Sequence, residues 1–89
     1  MILWTAEATV CEQPRNLPNN VACLGTHDSD AIFQVRARTS ADAARLIADL
    51  DAVVLEQTIS ICRANRPGEP IFYGYDFRTD EVIEIGEDY

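Results

Sequence analysis

Apolar residues at every second position, in several segments around one stretch of helical spacing, limit what this chain can fold into. In residues 2–11 the even positions are apolar, whereas Thr5, Glu7 and Thr9 between them are polar. Successive side chains of a strand point to opposite faces, so this pattern predicts a half-buried strand. Residues 31–38 repeat the pattern and predict a second strand.

One segment changes to helical spacing. Thr39 precedes Asp42 by three positions, which is the spacing of a capping box. Apolar residues then recur at the intervals of an amphipathic helix, at Ala43, Leu46, Ile47, Leu50 and Val54. The pattern predicts a helix over residues 40–51, with Leu46, Ile47 and Leu50 packed on the sheet.

The rest of the chain predicts more strands and two irregular segments. Period-two β-branched and aromatic residues indicate strands over 53–64 and 71–77, and 81–85 completes a hairpin. Prolines, asparagines and a glycine make 12–30 a long loop, in which 21–24 is the candidate for a short strand, and make 65–70 a turn. The expected fold is α+β, a single mostly antiparallel β-sheet with one helix packed on one face in ββαβββ order. Residues 1–89 are expected to form a single domain.

Acidic residues are concentrated in the second half of the chain. The net charge is −8, and residues 1–45 contribute −1 of it whereas residues 46–89 contribute −7. Binding to DNA or RNA needs clustered positive charge, so we expect no direct nucleic-acid binding and a basic protein as the partner. The predicted partner-binding residues are Asp49, Asp51, Glu56, Asp76, Asp80, Glu81, Glu84, Glu87 and Asp88.

Short apolar runs and scattered cysteines indicate the cellular compartment of the protein. No apolar run approaches the ~20 residues needed to cross a bilayer, and Met1 to Trp4 lack a basic leader, so we expect neither a membrane span nor a signal peptide. Cys11, Cys23 and Cys62 are odd in number and far apart, which favours reduced thiols in the cytoplasm. Monomer and homodimer both remain open.

Cys23 and His27 are the one pair with metal-ligand spacing, and other ligands would have to come from Cys11, Cys62, Asp28 and Asp30. Structural zinc sites usually show two close ligand pairs, so we predict no metal site and no cofactor. A Cys23–His27 catalytic dyad lacks a glycine-rich loop for an oxyanion, and no phosphate-binding loop is present. We therefore predict that the protein is not an enzyme.

An aromatic row alternates along the predicted strand 71–77, at Tyr73, Tyr75 and Phe77. Platforms that stack single-stranded bases lie in positive grooves, whereas Asp76, Asp80 and Glu81 flank this row. A core face and a protein-interface anchor both fit the pattern.

Residues 33–47 read FQVRARTSADAARLI. This segment resembles the strand-into-helix element of very small phage proteins, including several anti-CRISPR proteins, which also share the small size and acidity. The resemblance implies a phage-encoded, stoichiometric inhibitor that binds a Cas effector subunit in the bacterial host and blocks DNA binding. Such an acidic surface would act as a nucleic-acid mimic. The class spans many unrelated folds, so the resemblance assigns no binding residue.

Two alternatives stay open beside this interpretation. An immunity- or antitoxin-like inhibitor of a nuclease would present the same acidic surface to a different basic target. A small metal-binding or thiol protein that uses Cys23 and His27 belongs to another class.

Overall fold

Six antiparallel strands and one helix form the part of the chain that the structure, a computed structural model, describes, residues 1–85. The elements are β1 Ile2–Thr9, β2 Val21–His27, β3 Asp30–Ala37, α1 Ser40–Ala48, β4 Ile59–Arg63, β5 Arg66–Asp76 and β6 Glu81–Ile85. The strands lie in the order β2-β3-β1-β4-β5-β6, and every neighbouring pair is antiparallel. The prediction of an α+β chain with one antiparallel sheet and one helix is confirmed.

The predicted ββαβββ order is wrong, because β2 is a full strand and the observed order is βββαβββ. β2 occupies residues assigned to the 12–30 loop and pairs with β3, with a register shift between Cys23 and Gly25. It is an edge strand, and its residues 24–27 are all exposed. A strand that buries so few side chains lacks the alternation by which period-two patterns are recognised.

Three predicted boundaries also differ from the structure. The helix ends at Ala48, and β4 begins only at Ile59. Between them Val53 forms an isolated bridge with Val10, so the apolar residues there pack as a connection and do not extend β4. The turn predicted over 65–70 is confined to residues 64–65, because β5 accommodates its prolines where its pairing with β4 is irregular.

The core lies between α1 and one face of the sheet, which we call the covered face. α1 contacts β1, β3, β4, β5 and β6. Its buried residues are mostly alanines, which allow the helix backbone to approach the sheet closely. They join strand residues in one cluster that includes Trp4, Ala6, Ala8, Phe33, Val35, Ala43, Ala44, Ile47, Ile59, Ile61 and Tyr73. Of the predicted helix stripe, Ile47 and Leu50 are buried, and Leu46 is partly buried against the cluster.

The other face of the sheet, which we call the open face, has no second layer within residues 1–85. Cross-strand partners share a face, so the register identifies its residues. They are Leu3, Thr5, Glu7, Thr9, Ala22, Gly25, His27, Asp30, Ile32, Gln34, Arg36, Ser60, Cys62, Phe72, Gly74, Asp76, Glu81, Ile83 and Ile85. Antiparallel sheets commonly leave one face to solvent, but this one includes several large apolar residues.

Candidate protein-docking surface

Antiparallel pairing assigns every turn to one of the two ends of the sheet. β1 ends with Thr9 opposite Asp30, so the β2–β3 turn lies at that end. The chain around Val54 lies there too, since its N–H donates to the Thr9 carbonyl at 2.8 Å. Ile59, at the start of β4, pairs with Tyr73 of β5, which places the β5–β6 turn at the same end.

Carboxylates from three separate segments meet at this end, which we call the acidic rim. Its members are Asp28, Asp30, Asp51, Glu56, Asp76, Asp80 and Glu81. The rim follows the sheet from β2 to β6, a distance of about 24 Å at the usual strand spacing. All of these residues except Asp76 are exposed. The arrangement is therefore a long band of negative charge accessible to a partner.

Arginines collect at the opposite end, which we call the basic rim and define as Arg36, Arg38, Arg63 and Arg66. Arg36 pairs with Leu3 at the start of β1, and Arg63 pairs with both Trp4 and Arg66. The Arg63 guanidinium lies 5.7 Å from the centroid of the Trp4 ring, within cation–π range. Within residues 1–85, none of the four has a carboxylate within 4.0 Å. Negative and positive charges are thus separated along the strand direction, although the net charge of the molecule is negative.

The β5–β6 turn is organised by Asp76. Its Oδ1 accepts the backbone N–H of Arg78 at 2.9 Å and lies 3.5 Å from the Arg78 Nε. The Asp76 side chain is only 18% exposed, whereas that of Arg78 is 92% exposed. Asp80 closes the turn at φ 58°, a left-handed conformation that aspartate tolerates. Asp76 therefore shapes the acidic rim, and Asp80 and Glu81 present exposed carboxylates on it.

The structure brings five of the nine predicted docking residues to the acidic rim. These are Asp51, Glu56, Asp76, Asp80 and Glu81. Glu84 lies opposite Tyr73, further along β6 and on the covered face. Asp49 lines a groove of about 470 Å³ with Arg38 and Arg45, away from the rim. Glu87 and Asp88 lie outside the described residues.

Asp28 and Asp30 belong to the rim but were not among the residues predicted from sequence. They lie in the half of the chain with net charge near zero, and Asp28 forms the β2–β3 turn at φ 55°. His27 Nε2 lies 3.5 Å from its carboxylate. Pairing of β1 with β3 is the signal that would have placed these residues, because it puts Asp30 beside the end of β1.

The aromatic row divides along its length. Tyr73 is 4% exposed, and its hydroxyl lies 2.6 Å from the Ser40 hydroxyl on the helix. Tyr75 is half-buried, and Phe77 is 67% exposed at the turn. The Tyr75 and Phe77 rings meet edge to face with centroids 5.0 Å apart. Tyr73 is thus a core residue, and Phe77 is an accessible aromatic side chain within the acidic rim.

The candidate metal and thiol residues do not form one site, although His27 lies beside Asp28. Cys23 lies across from Phe33, toward the covered face, and its Sγ is 3.8 Å from the Gly25 carbonyl oxygen. Cys62 is on the open face, opposite Thr5. Among residues 1–85 no group of three histidines, cysteines or acids has the geometry to hold a metal ion.

Comparisons with known proteins suggest no function, so a function has to be inferred from the geometry of the structure. No protein-family model, curated protein or solved structure matches the chain. Within the described residues, no helix has the length and apolar character to cross a membrane.

Proposed function

We propose that this protein is a non-enzymatic inhibitor that binds a basic, nucleic-acid-handling protein through its acidic rim. The target class that its sequence profile suggests is a Cas effector subunit in the host cytoplasm, as for a phage anti-CRISPR protein. Occupation of the subunit's basic groove would block DNA binding. The observation that supports the proposal is the acidic rim itself, which gathers carboxylates from distant parts of the chain.

The geometry of the rim suits a groove that normally holds phosphates. The rim is about 24 Å long, and one strand of a DNA duplex carries a phosphate about every 3.4 Å of helix axis. The rim therefore extends over a length that would hold several phosphates. The Asp76 turn holds part of the row in place before binding, which lowers the ordering cost of association.

Exposed charge of one sign also controls the rate of encounter. A net charge of −8 attracts a basic partner from a distance, and complementary charge raises association rates more than it raises affinity. An inhibitor that competes with DNA for a groove benefits from fast association. A nuclease inhibitor of the immunity or antitoxin type would use the same rim, so the target must be identified by binding.

The test compares two triple charge reversals that change the net charge equally. The rim variant carries Glu56→Arg, Asp80→Arg and Glu81→Arg. The control variant carries Asp49→Arg, Glu69→Arg and Glu84→Arg, which are exposed residues outside the rim. Association of each with a panel of purified crRNA-guided effector complexes and nucleases is measured by biolayer interferometry at physiological salt.

We expect one panel member to bind the wild-type protein, with association slowed about tenfold or more in the rim variant. The control variant should slow association much less, although it carries the same net charge. Wild-type association should also slow as salt rises, because exposed charges are screened over about 8 Å at physiological ionic strength. Equal slowing in both variants would show that net charge matters and the rim does not, and binding by no panel member would reject the proposed target classes.

A further inference from the structure

β2 forms one edge of the sheet, and its outer side is unpaired. Within residues 1–85 it pairs with β3 alone, and no strand lies beyond it. Arg36 donates its backbone N–H to the Asn20 carbonyl at 2.9 Å, so the even-numbered residues of β3 direct their backbone groups toward β2. The β2 partners of those residues are Ala22, Gly25 and His27. Because backbone groups alternate in direction along a strand, the N–H and C=O groups of Cys23 and Thr26 point outward.

The two edges of the sheet differ in their protection against further pairing. β6, at the other edge, carries Glu81 and Glu84, and charged side chains are a common protection of edge strands. β2 has the sequence VACLGTH, which contains neither a proline nor an aspartate, glutamate, lysine or arginine. Its register shift between Cys23 and Gly25 interrupts the edge, which disfavours long flat pairing between many chains but leaves Thr26 exposed. β2 is therefore suited to accept one short extended segment.

A cavity of about 340 Å³ lies on the open face beside this edge. It is lined by Glu7, Gly25, Thr26, His27, Asp30 and Ile32. Gly25 leaves a gap at this point, because even a Cβ added there would meet nothing within 4 Å. Ile32, its partner on β3, is 43% exposed and supplies apolar surface. Since β2 is the outermost strand, the gap at Gly25 leaves the cavity open toward the free edge.

Two carboxylates border this cavity without a cationic partner. Glu7 lies opposite Ile32 on the neighbouring strand, and Asp30 lies two residues before Ile32 on β3. Within residues 1–85 neither carboxylate has an arginine within 4.0 Å, and Asp30 accepts only the Thr9 hydroxyl, at 3.3 Å. A lysine or arginine side chain combines an apolar stem with a charged end. Such a side chain would cover Ile32 with its stem and bring its charge to the two carboxylates.

We propose that β2 binds an extended segment of a partner protein as an additional strand, with a lysine or arginine of that segment in the cavity beside Gly25. Cross-strand partners share a face, so the residue of the segment opposite Gly25 points to the open face. Main-chain bonds to Cys23 and Thr26 supply affinity, and the cavity supplies the preference for a basic side chain. The proposal goes beyond the function of the acidic rim and does not rest on it, because the rim variant leaves all of these groups intact.

The first test selects ligands from a phage-displayed library of random peptides on the immobilised full chain. Peptides of about nine residues are longer than β2 when extended, so they can pair along all of it. We expect the selected sequences to carry a lysine or arginine among alternating β-branched or aromatic residues. Titration of isotope-labelled protein with a selected peptide should shift the amide NMR signals of β2, above all those of Cys23 and Thr26. A selection that yields no binder, binders without a basic residue, or shifts confined to other strands would overturn the proposal.

The second test determines whether the peptide binds through its main chain. N-methylation of one peptide amide at a time should weaken binding about tenfold or more at every second position, because only alternate amides of a strand face its neighbour. On the protein, Thr26→Pro removes the outward N–H and leaves the bonds to β3 in place, so it should weaken binding by a similar factor. Thr26→Val is the matched control, since it keeps the N–H. A uniform effect along the methylated series, or none, would contradict strand addition.

The third test concerns the basic side chain. A variant with Glu7→Gln and Asp30→Asn should bind the selected peptide about tenfold more weakly, whereas a peptide with leucine in place of its basic residue should bind both proteins about equally. The rim variant should bind the selected peptide as well as the control variant of equal net charge does. Equal weakening of both peptides would show that the cavity does not hold the basic side chain. Selective loss in the rim variant would place the peptide on the acidic rim, and either result would overturn the proposal.

Discussion

The two faces of this sheet are built from the same strands but differ in how far their side chains are buried. On β3, Phe33 and Val35 are fully buried on the covered face, whereas Ile32, the residue before Phe33, is 43% exposed on the open face. Isoleucine is buried at Ile61 and exposed at Ile83, so the apolar character of a side chain does not decide its burial here. The helix decides it, because it covers one face only. The covered face therefore stabilises the fold, and the open face is free for contact with another molecule.

The largest difference between the faces should appear in two neighbouring substitutions on β3. Phe33→Ala removes a fully buried ring and should lower the free energy of unfolding by about 3 to 5 kcal/mol. Ile32→Ala removes a partly exposed side chain and should cost less than about 1 kcal/mol of monomer stability. Urea denaturation measures both. Equal losses would mean that the faces do not differ in this way.

A smaller effect tests the polar contact between the helix and the covered face. The hydroxyls of Ser40 and Tyr73 are 2.6 Å apart and partly buried. Ser40→Ala and Tyr73→Phe should each lower the free energy of unfolding by about 1 kcal/mol, the usual net value of such a bond. In the double variant the losses should be less than additive, because both remove the same bond. Strict additivity in the urea series would show that the bond contributes nothing to holding α1 on the sheet.

Much of the fold could be predicted because burial on one face leaves a periodic pattern. β1, β3 and α1 match their predictions closely, since each packs one face against the core. β2 could not be recognised, because an edge strand with an irregular register buries little. The apolar residues around Val53 predicted a strand, but a connection between helix and strand also packs on the core and has the same composition.

The docking surface was less predictable. The prediction used the net charge of each half of the sequence, whereas the acidic rim collects residues from both halves at one end of the sheet. Asp51, Glu56, Asp80 and Glu81 were predicted from the acidic second half. Asp28 was missed because the topology carries it from the near-neutral half to the same end of the sheet. The basic rim has the same origin, since its arginines are spread from Arg36 to Arg66 and only strand pairing collects them.

The smallest expected effect on stability concerns two glycines that lie on the open face. Neither Gly25 nor Gly74 has a positive φ, so alanine fits both backbones and should stabilise by restricting the unfolded chain. A Cβ at Gly74 would lie 3.6 Å from two carbons of Ile85, an ordinary van der Waals contact, whereas one at Gly25 would meet nothing within 4 Å.

Gly74→Ala should therefore raise the free energy of unfolding by about 0.4 to 1 kcal/mol, and Gly25→Ala should raise it by less. The difference between the two variants isolates the contact with Ile85, because the effect on the unfolded chain is common to both. Urea denaturation of the two variants resolves the order of the two values. If Gly25→Ala stabilised as much as Gly74→Ala, the Ile85 contact would contribute nothing. The apolar side chains of β5 and β6 on the open face would then be too loosely packed for one added methyl group to gain from them, unlike the covered face, where such contacts hold the fold.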